Sequence, residues 1–179
     1  MLHTGQTILT LAALVLLSTI VFNFNKALSS SDVALAQNRY RLEALSILNS
    51  HIEQASQHYF DEASNDTVTA KLLTDFVTPG NLGLDGNDAG VIDDFDDYHN
   101  LAIVDTGRSG VIYQLRFLVD YVRIQGNAIQ TSGSREYHKR MTVMIMDNYP
   151  DPLIYHVGDA GKIRDTLRVE FVHSYWFYN

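Results

Sequence analysis

Oxygen-bearing side chains are densest between Asp61 and Asp97, where ten acidic residues accompany one basic residue, Lys71. Within this stretch Asp85-Gly86-Asn87-Asp88-Ala89-Gly90-Val91-Ile92-Asp93-Asp94-Phe95-Asp96 follows part of a calcium-loop pattern. It offers oxygen ligands at the first, third, ninth and twelfth places, glycine at the sixth and an apolar residue at the eighth. Hard oxygens on a flexible loop suit calcium, so Asp85, Asn87, Asp93 and Asp96 are the candidate ligands, with Asp88 and Asp94 as substitutes. The fifth place is Ala89, the twelfth is Asp96 rather than the longer glutamate, and no flanking pair of helices is evident. The plainer reading is a solvated acidic loop.

Other chemistry is sparse. Ser109 lies in Gly107-Arg108-Ser109-Gly110, which lacks the spacing of a nucleophile elbow. The glycines between Gly80 and Gly90 match neither a phosphate loop nor a dinucleotide fingerprint. His51 and His58 are seven residues apart and share a helical face, a weak metal signal on its own. The absence of cysteine removes thiolate nucleophiles, thiolate metal sites and disulfides. A formal charge of −8 argues against a nucleic-acid partner, which would need a basic face. The expectation is therefore a protein that is not an enzyme, with no small-molecule substrate and no cofactor beyond calcium at the acidic loop.

The elements that would position these residues begin with a helix. The first sixty residues contain no proline and, after Gly5, no glycine occurs until Gly80. Ile8 to Phe22 is an uninterrupted apolar run, short for a span of a hydrocarbon core that takes about 20 residues to cross. A cleaved signal peptide is the rival, with Ala34-Leu35-Ala36 as its small-residue site. Against it, Met1 to Gln6 carries no basic residue and a dozen residues separate Phe22 from Ala34. Further along, Leu45, Leu48, Ile52, Ala55 and Tyr59 recur at spacings of three and four, widened by Leu42, as on a helix packed against a partner. One helix from about Thr7 to Phe60 would measure on the order of 80 Å at ~1.5 Å per residue.

After Gly80 the period becomes two. Val111, Tyr113, Leu115, Phe117, Val119 and Tyr121 alternate with Gln114, Arg116 and Asp120 in a long half-buried strand ending near Gln125-Gly126-Asn127. Met141, Val143 and Ile145 form a second such face, and Leu167, Val169 and Phe171 a third. Turns at 107–110, 131–134, 147–152 and 158–161 make neighbouring strands antiparallel. The fold class is α+β: a long N-terminal membrane-spanning helix packed on a C-terminal antiparallel sheet. Its divisions are 1–25 for the leader and membrane part, 26–60 for the amphipathic half, 61–100 for the acidic loop region and 101–179 for the sheet. Nine of the thirteen Lys and Arg lie between Arg108 and Arg168. The acidic and basic groups therefore read either as solvated faces of one domain or as complementary surfaces of successive copies. The cluster Tyr175-Trp176-Phe177-Tyr178 reads as the end of a strand in its own core, or else as an interaction patch or a membrane-interface belt.

This arrangement resembles the type IV pilin and pseudopilin group. Gly5-Gln6-Thr7-Ile8-Leu9-Thr10-Leu11 looks like a degenerate form of the Gly-Phe-Thr-Leu-Ile-Glu signature, cut after its glycine by a prepilin peptidase. Asp93-Asp94-Phe95-Asp96-Asp97-Tyr98-His99-Asn100-Leu101 is similar to the Asp-Asp-x-Asp-Asp-Tyr-His-Gly-Leu segment of some minor pilin-like subunits. Lys139-Arg140-Met141-Thr142-Val143 resembles the Lys-Arg-Ile-Thr-Val opening of a strand there. The resemblance implies a mature chain beginning at Gln6, with other pilin-like subunits and membrane lipid as partners of the N-terminal helix. It implies a single-pass protein of the bacterial inner membrane with its C-terminal domain periplasmic or extracellular.

Thr10 stands where major pilins carry the glutamate that neutralises a neighbour's N-terminal amine, Gln6 replaces Phe, and the leader lacks a basic residue. The implied role is thus a minor, initiating or tip component of a type IV pilus-like filament or secretion pseudopilus. Lys26, Arg39 and Arg41 follow the apolar run and no Lys or Arg precedes it, a bias that by itself would place the C-terminal side in the cytoplasm. Two alternatives stay open: a membrane-tethered subunit of a stable complex that is not a filament, and a calcium-dependent exported binding domain.

Overall fold

The computed structural model describes residues 2–64, 69–84, 90–159 and 161–176. Two compact units result, Met1–Tyr40 and Arg41–Asn179. Helix α1 is continuous over Leu2–Ser56, as expected of a segment without proline and with no glycine beyond its first turn.

In the first unit every residue from Thr4 to Ala36 is exposed. The stretch is long and apolar enough to cross a membrane. From Ile8 to Phe22 apolar side chains predominate on every side of it, whereas a helix lying on a protein core is apolar along one stripe. Four of its hydroxyls return to the helix. Thr7 donates to the Thr4 carbonyl at 2.9 Å, Thr10 to those of Gln6 at 3.1 Å and Thr7 at 2.9 Å, Ser18 to Leu14 at 2.8 Å and Thr19 to Leu16 at 2.8 Å. A hydroxyl bonded in this way asks nothing of its surroundings.

In the second unit the last turns of α1 pack on a sheet. Strands β1 (Ala102–Thr106), β2 (Ile112–Gln125), β3 (Ala128–Thr131), β4 (His138–Asp147), β5 (Tyr155–Gly158), β6 (Gly161–Arg164) and β7 (Leu167–Ser174) follow in chain order. The main sheet runs β1-β2-β4-β7, with β3 on the end of β2, and β5-β6 is a separate hairpin. Every pairing between these strands is antiparallel. The register sets Phe117 opposite Val143 and Tyr121 opposite Lys139. Tyr113, Leu115, Phe117, Val119, Met141, Val143 and Ile145 are all fully buried, so the period of two in β2 and β4 is the inward face. Leu167, Val169 and Phe171 are only half-buried, because β7 lies at the sheet's edge with one neighbour rather than two.

The helix differs from expectation at the ends of its stripe and in length. Its buried stripe is Ala44, Leu48, Ile52 and Ala55, spaced four, four and three. Leu45 is a half-buried flank, while Leu42 and Tyr59 are 69% and 53% exposed. Ala44 and Ala55 are wholly buried, and Leu42, two residues before Ala44, is turned about 160° away from that face at 3.6 residues per turn. The helix ends at Ser56 rather than Phe60. Tyr59 instead forms a parallel bridge with Asp94, and Phe60 enters a small second core with Phe76 and Tyr121.

Glu43 ties helix to sheet. Its carboxylate accepts from Ser109 N–H at 2.7 Å, Ser109 Oγ at 2.5 Å and Tyr113 Oη at 3.0 Å. The carboxylate fits there because residue 107 is glycine: a Cβ at Gly107 would stand 2.4 Å from Glu43 Cδ. Glu43→Ala and Gly107→Ala should each lower stability by about 1 kcal/mol, chiefly by leaving the Tyr113 hydroxyl without its partner, since exposed Ser109 can bond water instead. Denaturant titration of the double variant should show no more loss than the worse single one, since both remove the same contact.

Candidate functional site

The segment 93–98 is wound around its own carboxylates. Asp94 Oδ1 accepts from the N–H groups of Asp96 at 2.8 Å and Asp97 at 3.1 Å. Asp97 Oδ2 accepts from those of Asp93 at 2.9 Å and Asp94 at 3.2 Å. These local bonds, of the kind aspartate makes readily in turns, shape the 3₁₀ turn Asp96–Tyr98. Phe95 N–H donates to the Tyr59 carbonyl at 2.8 Å, which lays the segment beside residues 59–61. Phe95 is fully buried and stacks on His173 of β7 with ring centroids 4.8 Å apart.

Lys139 on β4 lies beneath, at 0% exposure. Its ammonium donates to the Phe60 carbonyl at 2.7 Å, Asp61 Oδ2 at 2.9 Å and Asp96 Oδ1 at 2.5 Å, so all three N–H donors of a lysine are used. The rings of Phe60 and Tyr121 face it with centroids at 4.5 and 5.3 Å, adding cation–π attraction in a dry setting. Asp61 is held from outside the pair: Val77 N–H donates to Oδ2 at 3.0 Å and Ala63 N–H to Oδ1 at 3.3 Å. Tyr121 Oη donates to the Val77 carbonyl at 2.8 Å. A cleft of about 380 Å³ beside this group is lined by Asp61, Glu62, Asp75, Phe76, Asp94 and Asp96 among others.

Charge is unbalanced here, and protons answer the imbalance. Burial first, then the Asp96 carboxylate, push Asp94 up to about 7, against the pull of Lys139. Burial also raises Asp96, with Lys139 opposing. Burial, and then Lys139, hold His173 below the usual imidazole value. The site can hold an ammonium and store a proton near neutral pH.

The expected calcium ligands are distributed differently from a binding loop. Asp85, Asn87 and the substitute Asp88 lie outside the described residues. Asp93 is exposed and Asp96 is buried, with Oδ1 of Asp96 engaged by Lys139. The reading of the 93–97 stretch as a solvated loop is overturned, since Asp94, Asp96 and Asp97 are 3–4% exposed. Their burial follows from the partners just given: a lysine and backbone amides supply what water would. Much of the basic half is likewise paired within the chain, as in Arg140–Asp120 at 2.7 Å, Arg123–Glu136 at 2.5 Å and Lys162–Asp151 at 2.7 Å.

The remaining sequence candidates fall in separate places. Gly5, Gln6 and Thr10 are exposed on the first unit's helix. His51 bonds Asp105 at 3.0 Å and sets its ring on Phe117, whereas His58 tilts on Tyr98, so the two histidines serve separate contacts. Tyr175 packs on Phe60, Phe76 and Tyr137, while Trp176 is exposed; Phe177 and Tyr178 lie outside the described residues. Lys139 is the residue that pattern reading missed as a site. Its signal was present: it shares the inward face with Met141, Val143 and Ile145, where a lysine requires a buried acidic partner. Comparisons of the chain with protein-family models, with curated proteins and with solved structures returned no match.

Proposed function

We propose that the chain is a membrane-anchored, pilin-like structural subunit whose first helical unit packs with similar helices in a filament or secretion apparatus. The observation that carries this reading is the change of character along α1. It is exposed over 4–36 and predominantly apolar on every side from Ile8 to Phe22, then amphipathic and buried along one stripe against the sheet from Ala44 onward. An apolar helix without a partner in its own chain calls for lipid or other helices.

Two details favour a minor, initiating or tip position. Thr10 offers no carboxylate to a neighbour's N-terminal amine, and its hydroxyl is satisfied within its own helix. Asn100, standing where the similar minor-subunit segment has glycine, adopts φ +62°, a conformation that glycine and asparagine tolerate best. The function is assembly rather than a reaction, with the C-terminal domain exported from the inner membrane.

N-terminal sequencing of the chain from membrane and sheared-filament fractions tests the reading. A start at Gln6, with chain in both fractions, is the expected result. A start at Met1 with the chain confined to the membrane would instead favour a tethered subunit of a stable complex.

A further inference from the structure

We propose that Lys139 Nζ condenses with the side-chain carboxyl of Asp96, giving an intramolecular amide that joins β4 to the 93–98 segment. The reacting groups are already in contact, at 2.5 Å, and Lys139 is wholly excluded from solvent. A second carboxylate, Asp61, touches the same nitrogen at 2.9 Å and is fixed by the Val77 and Ala63 amides. The rings of Phe60 and Tyr121 close the space around the nitrogen.

Each feature favours condensation. In water the separated ions are preferred to an amide because both are hydrated, but in a dry pocket that advantage is lost and the neutral amide is favoured. Fixing nitrogen against carboxyl is worth an effective concentration of about 10⁵–10⁸ M where alignment is good. Asp61 is placed to take a proton from the ammonium and so free the nitrogen lone pair.

The step balances without any further reactant. The lone pair attacks Asp96 Cγ, one C–N bond forms and one C–O bond breaks. The nitrogen loses two protons in all; both end on the departing oxygen, carried by Asp61, which finishes as the carboxylate it began as. One ammonium and one carboxylate become one amide and one water.

Mass spectrometry of the full chain, extracted in detergent and digested with trypsin, tests the amide independently of the assembly reading. The expected product is a branched species of 72–108 joined through Lys139 to 136–140, lighter by one water than the two peptides together and uncut after Lys139. Linear peptides of full mass, cut after Lys139, would overturn the proposal, as would a branch at Asp61. Lys139→Arg and Asp96→Ala should each abolish the branched species. Asp61→Ala keeps both reacting groups and should also abolish it; persistence there would overturn the role given to Asp61. Where a variant does not fold, the wild-type digest alone separates the branched product from the linear peptides.

Discussion

Lys139→Met is expected to lower the unfolding free energy by about 3–5 kcal/mol, the usual cost of leaving buried charges without their counter-ion. The variant keeps a chain of similar length on the inward face of β4, so little packing is lost. What is lost, relative to the chain in which Lys139 and Asp96 have not condensed, is the cation between Asp61 and Asp96, both under 5% exposed, together with the donor to the Phe60 carbonyl. Denaturant titration of the full chain in detergent checks the figure. Adding Asp61→Asn and Asp96→Asn to Lys139→Met should recover part of the loss, because a neutral group is cheaper to bury than an unpaired carboxylate. If both the single and the triple variant match the wild type, the cluster contributes nothing to stability.

Asp94→Asn is expected to change how stability depends on pH. Asp94 titrates at about 7 in the folded protein against an ordinary 3.8. Well below pH 4 both folded and unfolded chains hold the proton and the group imposes no penalty, and near pH 4 the penalty is still small. As pH rises from about 4 to about 7 the unfolded chain releases it first, so the folded state loses stability; above 7 the loss is constant. At about 1.4 kcal/mol per pKa unit the full loss is up to about 4 kcal/mol. Asparagine retains an oxygen for the Asp96 and Asp97 amides and carries no charge. The variant should therefore match the wild type near pH 4 and exceed it at pH 8. His173 works in the other sense: held below its ordinary 6.5, it contributes stability above that pH and costs stability as pH falls. It is common to both proteins, so the difference between their melting curves isolates Asp94. A constant difference from pH 4 to 8 would show that Asp94 does not titrate in that range.

Periodicity carried much of the fold because it reports one-dimensional facts. The alternation from Val111 to Tyr121 named a set of inward residues, and the structure buries each of them. The turn at 107–110 separates β1 from β2, and the hairpin β5-β6 reverses across the turn read at 158–161. β1 went unread because Ala102–Thr106 is a short edge strand whose alternating side chains are only half-buried or exposed. β5 and β6 have four residues each and are largely exposed, so no apolar pattern marks them. The middle of the helix stripe, Leu48, Ile52 and Ala55, is buried as its spacing implies, but its ends differ, because leucines at 42 and 45 outweigh the alanine at 44 and the helix stops before Tyr59. What a packed helix needs at closest approach is small size rather than hydrophobicity.

The candidate site was less legible for a different reason. The acidic segment stood out by composition, and composition places such a segment in water. Its burial depends on Lys139, which is 43 residues from Asp96 and 78 from Asp61 in the chain, and long-range contacts such as the bridge from Tyr59 to Asp94 and the stack of Phe95 on His173 bring them together. By itself the sequence determined the α+β class, a helix apolar enough to enter a membrane, and the inward faces of β2 and β4, because each is written in local spacing. Which carboxylates surround Lys139, which of them keeps its proton, and that Asp93 stays outside while Asp96 goes in were decided by tertiary structure alone. Charge burial is set by partners that meet in space, and no local period records them.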